Sequence, residues 1–379
     1  MISNRRPNQY SLRFLLGGVT ILALALGTGT CVYRAFVVPH DDPSIGPIHD
    51  VAFCPDGKQF VTGNQDGTVR LWDVQTGNEL RSFGKQRPAV TCVAVSSDGR
   101  FIAANWNDGP SAQCGTVIWN LATGIEIRKC VGHTGMVNAV AFTRDNRRII
   151  SAGSDQTVRV WNLATGREVF CLRGHEAEIN AVCVSADGQY VLSAAGDNWG
   201  SQLHDPTLRL WSLTDGSQVR IFKGHSGAVY GCAMTPDGKL AASASWDGTI
   251  RIWNVATGEQ IRCFGDGSDF NTVAIHPNGR WLVSGSGFTD GKVLLWDLTT
   301  GEQLRSFDCD TVVRGVDFSP DGMLVASAHG NFAGRPARGF SLTGMESYVH
   351  DGVAILWKVE NDEKVLQVGD SAGGPVSVP

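Results

Sequence analysis

No Gly-rich loop in this sequence ends in Gly-Lys-Ser or Gly-Lys-Thr, so the backbone cradle that holds nucleotide phosphates is missing. The 10 cysteines include no C-x-x-C pair and no close cluster, which argues against a zinc site or a disulfide framework. Most fall inside strand patterns (Cys92, Cys183, Cys232, Cys130, Cys171 and Cys263 among them) and read as small buried apolar side chains. Positive charge is scarce where a polyanion would need it. The first 40 residues hold four arginines, Arg5, Arg6, Arg13 and Arg34, and no acid. The remainder carries 28 basic against 37 acidic residues, a net −9, so nucleic acid is not expected as a partner. No cofactor and no metal is expected.

Long apolar runs are also missing, with one exception. Residues 14–33, FLLGGVTILALALGTGTCVY, form 20 consecutive positions without a charge. As a helix they would span about 30 Å, the thickness of a hydrocarbon core. The arginines that precede the run put residues 1–13 in the cytoplasm and the rest of the chain across the membrane, although Arg34 on the far side works against that polarity. The alternatives are a signal peptide cleaved near Ala23-Leu24-Ala25, which would leave the protein secreted, and lipidation at Cys31, for which Thr30 is a poor neighbour. Residues 34–47 read as a linker.

What is abundant is glycine, 46 of 379 residues, as a turn-dense β protein requires. From residue 48 a unit of four short alternating runs recurs. In the copy over 224–264, Asp237-Gly238 separates the first two runs and is expected to form a two-residue hairpin turn with φ > 0 at both centres. Seven tryptophans close equivalent third runs: Trp72, Trp119, Trp161, Trp211, Trp253, Trp296 and Trp357, at intervals of 47, 42, 50, 42, 43 and 61 residues. A four-stranded unit of this size cannot bury both faces alone and must stack on its copies, so the period predicts a propeller. The fold expected is all-β, a seven-bladed β-propeller of four-stranded antiparallel blades over 48–368, preceded by one transmembrane helix. The last fourth strand is expected at 364–368, KVLQV, with residues near 34–40 as the alternative. Residues 369–379 read as a disordered tail.

The Gly-His pairs (Gly132-His133, Gly174-His175, Gly224-His225) and the Trp-Asp or Trp-Asn pairs (Trp72-Asp73, Trp161-Asn162, Trp253-Asn254, Trp296-Asp297) resemble the WD-repeat β-propeller family over nearly all of the chain after residue 47. The resemblance implies a hydrogen-bonded tetrad of His, Ser, Asp and Trp inside a blade. Three sets fit it: His133, Ser151, Asp155 and Trp161; His175, Ser193, Asp205 and Trp211; His225, Ser243, Asp247 and Trp253. A buried Trp brings one N–H donor, and a hydroxyl can accept from it and pass a bond to His. These sets also look like hydrolytic triads, but their repetition and the Trp donor on each Ser favour structure, so no catalytic residue is expected. Blades 1, 2, 6 and 7 depart from the tetrad (blade 2 has Ala104 for the Ser) and are expected to rely on apolar packing.

Binding residues concentrate on loops held by a rigid scaffold. The hydroxyl-to-Asp spacing is 4 in blades 1, 3 and 5, but 12 in blade 4, 6 in blade 6 and 24 in blade 7, and blade 2 adds five residues before Trp119. Every sizeable insertion thus lies between second and third strands, on the face that in the family carries the tetrad His. Trp106, Trp199 and Trp246 lie in or beside these connections, and Tyr230 starts an inner strand. The family resemblance implies partner contacts at the positions of Tyr230 and Trp246, with His49, Asn138, Asn180, Asn271 and Arg314 as equivalents. The blade-7 insertion adds Arg335, Arg338 and Phe340. Exposed aromatic and Arg side chains clustered in this way suit a protein-binding hot spot. The expectation is a non-catalytic, membrane-anchored scaffold that binds a protein on this face. The alternative is an extracytoplasmic propeller that binds or processes a small ligand at the channel mouth, with His204, His329 and His350 as conceivable metal ligands.

Overall fold

The computed structural model describes residues 36–37, 47–84, 88–107, 114–197, 205–287, 291–309, 311–330 and 354–359. Among them the strands form seven four-stranded antiparallel sheets. Blade 5 is representative: Val229–Met234 innermost, then Leu240–Ser245, Ile250–Asn254 and the outermost Gln260–Phe264. Burial falls from the inside out. The second strand is buried at five of six positions and the outermost at none. Each sheet is therefore sandwiched between neighbours and bares only its outer edge, as stacking for want of a private core requires.

The hairpins between first and second strands differ from the sequence expectation. Gly238 has φ 70°, but Asp237 is not at positive φ, and Gly238 N–H donates to Thr235 O at 2.8 Å. This is a type I turn closed by a left-handed glycine, not a two-residue turn with two positive centres. The aspartate has a different task. Asp237 Oδ1 accepts from Thr235 Oγ1 at 2.6 Å and from Lys239 N at 3.1 Å, which ties the turn to itself.

Ring closure also differs. Blade 7 consists of Val313–Phe318, Leu324–His329 and Ala354–Lys358, and its fourth place is taken by Phe36–Val37. Phe36 lies opposite Leu356 and Val37 opposite Ile355. The N-terminal alternative is thus the observed one, and part of the stretch read as a linker is a strand. Residues 364–368 lie outside the described residues. Among the described residues no helix is long and apolar enough to cross a membrane; residues 14–33 lie outside them.

Candidate functional site

The three complete tetrads form as the residues dictate. In blade 5, Trp253 Nε1 donates to Ser243 Oγ at 2.8 Å, Ser243 meets His225 Nε2 at 2.7 Å, and His225 Nδ1 meets Asp247 at 2.8 Å. A carboxylate can only accept, so Nδ1 carries the proton and Nε2 accepts from the Ser hydroxyl. Blades 3 and 4 repeat the chain, with Trp161 on Ser151 at 2.8 Å and Trp211 on Ser193 at 2.9 Å, and with His133 on Asp155 and His175 on Asp205. Burial lowers the His175 and His225 pKa values and keeps the rings neutral against the pull of Asp205 and Asp247. Burial opposes ionisation of Asp155, Asp205 and Asp247 too, but the His, Thr and backbone N–H bonds outweigh it and hold all three well below the usual carboxylate range. A residue not singled out from sequence completes each set: Thr157, Thr207 and Thr249, two past the Asp, bond its other oxygen at 2.7, 2.5 and 2.6 Å. The Asp-x-Thr spacing carried that signal. All three Ser side chains are fully buried with the hydroxyl engaged on both sides, so none is placed as a nucleophile.

The other blades do not simply fall back on apolar packing. In blade 7, Trp357 Nε1 donates to Ser327 at 2.8 Å and Ser327 meets His329 Nε2 at 2.6 Å. In blade 1, Trp72 donates to Thr62 at 2.9 Å and Thr62 to Asn64 at 3.3 Å. Both substitutes lie two residues past the hydroxyl, where the Gly-His blades carry Gly153, Ala195 and Ser245. In blade 2 that position is Trp106, two past Ala104. It is only 5% exposed and sits in the core with Trp119 beneath Lys129 Nζ, 4.5 Å from its ring. Trp106 is therefore corrected from a binding residue to a packing one. His329 is likewise no face ligand: it is buried, and burial pushes its pKa down to about 4.

At the mouth of the central channel the second residues of the inner strands converge on a cavity of about 440 Å³. His49, Asn138, Asn180, Tyr230, Asn271 and Arg314 all line it, with Trp246. Thr91, which sequence reasoning passed over, holds the same position in blade 2. Several of these side chains clasp the next blade. Thr91 Oγ1 donates to Val137 O at 3.4 Å, Asn138 Nδ2 to Ile179 O at 3.1 Å, Asn180 Nδ2 to Val229 O at 3.2 Å and Asn271 Nδ2 to Val313 O at 3.0 Å. The seam between blades 5 and 6 is crossed by Trp246, whose Nε1 donates to Asn271 Oδ1 at 2.8 Å. The last two seams use acids: Val93 N–H donates to Asp50 at 2.9 Å and Phe53 N–H to Asp317 at 2.8 Å. Burial pushes Asp50 up to about 7 against its N–H bonds, with Asp317 adding to the rise, and pushes Asp317 up to about 6.

Tyr230 holds the corresponding position in blade 5. Its ring stacks on Trp246 with centroids 4.5 Å apart and planes 19° from parallel, and both rings are half-buried. Elsewhere on the same rim, Arg314 Nη1 lies 3.3 Å from His49 Nδ1, and His49 Nε2 lies 2.6 Å from Gln65. Burial, partly offset by Gln65 and reinforced by the Arg314 charge, lowers the His49 pKa, so Arg314 supplies the positive charge of the pair. The stems of two insertions reach this rim. Gly330 O accepts from Arg314 Nε at 3.1 Å, and Gly196 O from Asn180 Nδ2 at 2.9 Å. Trp199, Arg335, Arg338, Phe340, His204 and His350 lie outside the described residues.

A family model described as "WD domain, G-beta repeat" matches residues 33–73, 77–119, 124–162, 166–212, 216–254, 258–297 and 301–332. The chain belongs to this WD-repeat family. The first match begins before the closing strand Phe36–Val37, in keeping with closure from the N-terminal side. Similar proteins include a "Guanine nucleotide-binding protein subunit beta" of Oryza sativa subsp. indica, 28% identical over 122 residues, and its namesake in Zea mays, 26% identical over 120 residues. The human "Pre-mRNA-processing factor 17" is 28% identical over 116 residues. The matched stretch is 30% of this chain and only 32%, 31% and 19% of those relatives, so the WD-repeat architecture is what they share.

Proposed function

We propose that this WD-repeat protein is a non-catalytic platform that binds another protein on the insertion-bearing face, held in a membrane by residues 14–33. The observation that carries the reading is the channel mouth. A stacked Tyr230–Trp246 pair and the Arg314–His49 pair line one cavity, with insertion stems bonded to its rim. Aromatic and Arg side chains that keep a face to solvent on a rigid frame are what protein hot spots are made of. The subunit-type relatives, named as parts of larger assemblies, point the same way.

We place the N-terminus in the cytoplasm and the propeller on the other side of the membrane. Only residues 34 and 35 separate the apolar run from the closing strand, so the rim of blade 7 is tethered at the bilayer in this reading. Protease added to sealed native vesicles, inside-out and right-side-out, tests the side: degradation of the propeller in the inside-out set alone overturns it.

The partner test uses the full chain in detergent as bait against native membrane extract, beside Tyr230→Ala and Arg314→Ala variants with unchanged circular dichroism. A protein captured by the parent and lost by both variants is the expected result. Trp246 is avoided as the main probe because it also clasps blade 6. Capture of nothing by any of them favours a small ligand in the mouth cavity.

A further inference from the structure

Cys183 and Cys232 lie 49 residues apart in sequence on the inner strands of adjacent blades, Ile179–Val184 and Val229–Met234. The ring brings them together. Cys183 pairs in register with Leu192, and Cys232 Sγ reaches across the seam to 3.7 Å from Leu192 O. The Cys232 thiol thus lies over the Cys183 rung. Cys183 is the neighbour that acts most strongly on the Cys232 thiol, and it raises that thiol's pKa. Both belong to one apolar cluster on the channel wall.

We propose that this pair is a disulfide-forming site, oxidised by a small disulfide that enters through the channel and stapling blade 4 to blade 5. The two sulfurs are unequal. Cys232 is only 8% exposed, whereas Cys183 is half-buried and lines a channel cavity of about 430 Å³. Cys183 beside it, and then burial, hold the Cys232 thiol protonated well above its ordinary range. Thiolate attack therefore starts at Cys183.

The Cys183 thiol loses its proton to water and attacks one sulfur of R–S–S–R. The S–S bond breaks, the first RS⁻ leaves and is protonated, and a Cys183–S–S–R mixed disulfide remains. Cys232 then gives up its proton and attacks Cys183 Sγ, and the second RS⁻ departs as RSH. Two protein thiols are oxidised to one disulfide and one small disulfide is reduced to two thiols. The high thiol pKa of Cys232 makes the second step the slow one. This chemistry does not depend on what the mouth binds or on which side of the membrane the propeller lies.

The test treats the reduced, folded full chain with oxidised glutathione at neutral pH, then blocks free thiols with N-ethylmaleimide in denaturant and digests with trypsin without reductant. Tryptic peptides 174–209 and 224–239 each hold a single cysteine, Cys183 and Cys232. The expected product is these two peptides joined, with loss of maleimide from both. Exposed Cys263 provides the control that oxidant is active. Cys232→Ser is expected to stop at a glutathione adduct on Cys183, and Cys183→Ser to leave Cys232 alkylated. Maleimide on both cysteines of the parent chain while Cys263 is glutathionylated, or a glutathione adduct that persists on its Cys183, overturns the proposal.

Discussion

Ser243 is fully buried, accepts from Trp253 and bonds His225, so neither of its neighbours can lose it without stranding a polar group. Trp253→Ala removes a fully buried ring and orphans that hydroxyl, and on the order of 3–5 kcal/mol of unfolding free energy should be lost in a chemical denaturation. A loss under about 1 kcal/mol would show that the tetrad does not hold blade 5 together. Ser243→Ala keeps the ring but leaves the indole N–H and the imidazole Nε2 without their shared partner, and the same measurement should register about 1–3 kcal/mol. Trp106 separates packing from binding. Because it lies in the core of blades 1 and 2, Trp106→Ala should cost stability on the scale of Trp253→Ala while the folded fraction keeps its partner. Its position two past Ala104, in the series Asn64, Trp106, Ser286 and His329, explains this. Where no Gly-His turn delivers an imidazole, blades 1, 2 and 7 fill that part of the blade from the second strand.

At the scale of elements, the closing strand is the point of leverage. Phe36–Val37 is two residues long, but it supplies the fourth strand of the last blade from the other end of the chain. Deleting residues 1–47 should open the ring and lower the thermal midpoint, with proteolysis entering at blade 7. Deleting 1–34 or 364–379 should leave the midpoint near that of the parent, measured by circular dichroism melts. Equal loss from the C-terminal deletion would mean that 364–368 also supports the blade. The sequence pattern leaned the other way because KVLQV follows the last Trp at the spacing of other fourth strands. Which of two candidate runs pairs with an open edge is a question of where the chain ends meet in space, and periodicity does not carry that information.

For the molecule as a whole, pH acts on seams and tetrads in opposite senses. Asp155, Asp205 and Asp247 have folded pKa values below the unfolded one, so the stability they add is present above about pH 4 and lost as pH falls. Asp50 and Asp317 have folded values of about 7 and about 6, raised by burial, so their contribution is full below about pH 4 and lost as pH rises through those values. Both keep a face on the channel, and water there reduces the effect to about 2 kcal/mol for Asp50. Asp50→Asn should therefore gain on the parent chain between pH 5 and pH 8, whatever it loses at every pH from one missing acceptor. A stability difference that is flat across that range, in parallel denaturant titrations, would place no titrating carboxyl at the seam.

The sequence by itself determined the seven blades, their four-strand make-up and three complete tetrads, because repeat period, turn residues and the partner needs of a buried Trp are local properties. It also brought out Tyr230 and Trp246, since both follow from position within one repeat. Only the tertiary structure decided which end closes the ring, that Trp106 points into the core, that Asn138, Asn180 and Asn271 clasp neighbouring blades, and that Cys183 and Cys232 come to one seam. Each of these depends on contact between blades, where residues some forty or more apart in sequence become neighbours through the curvature of the ring.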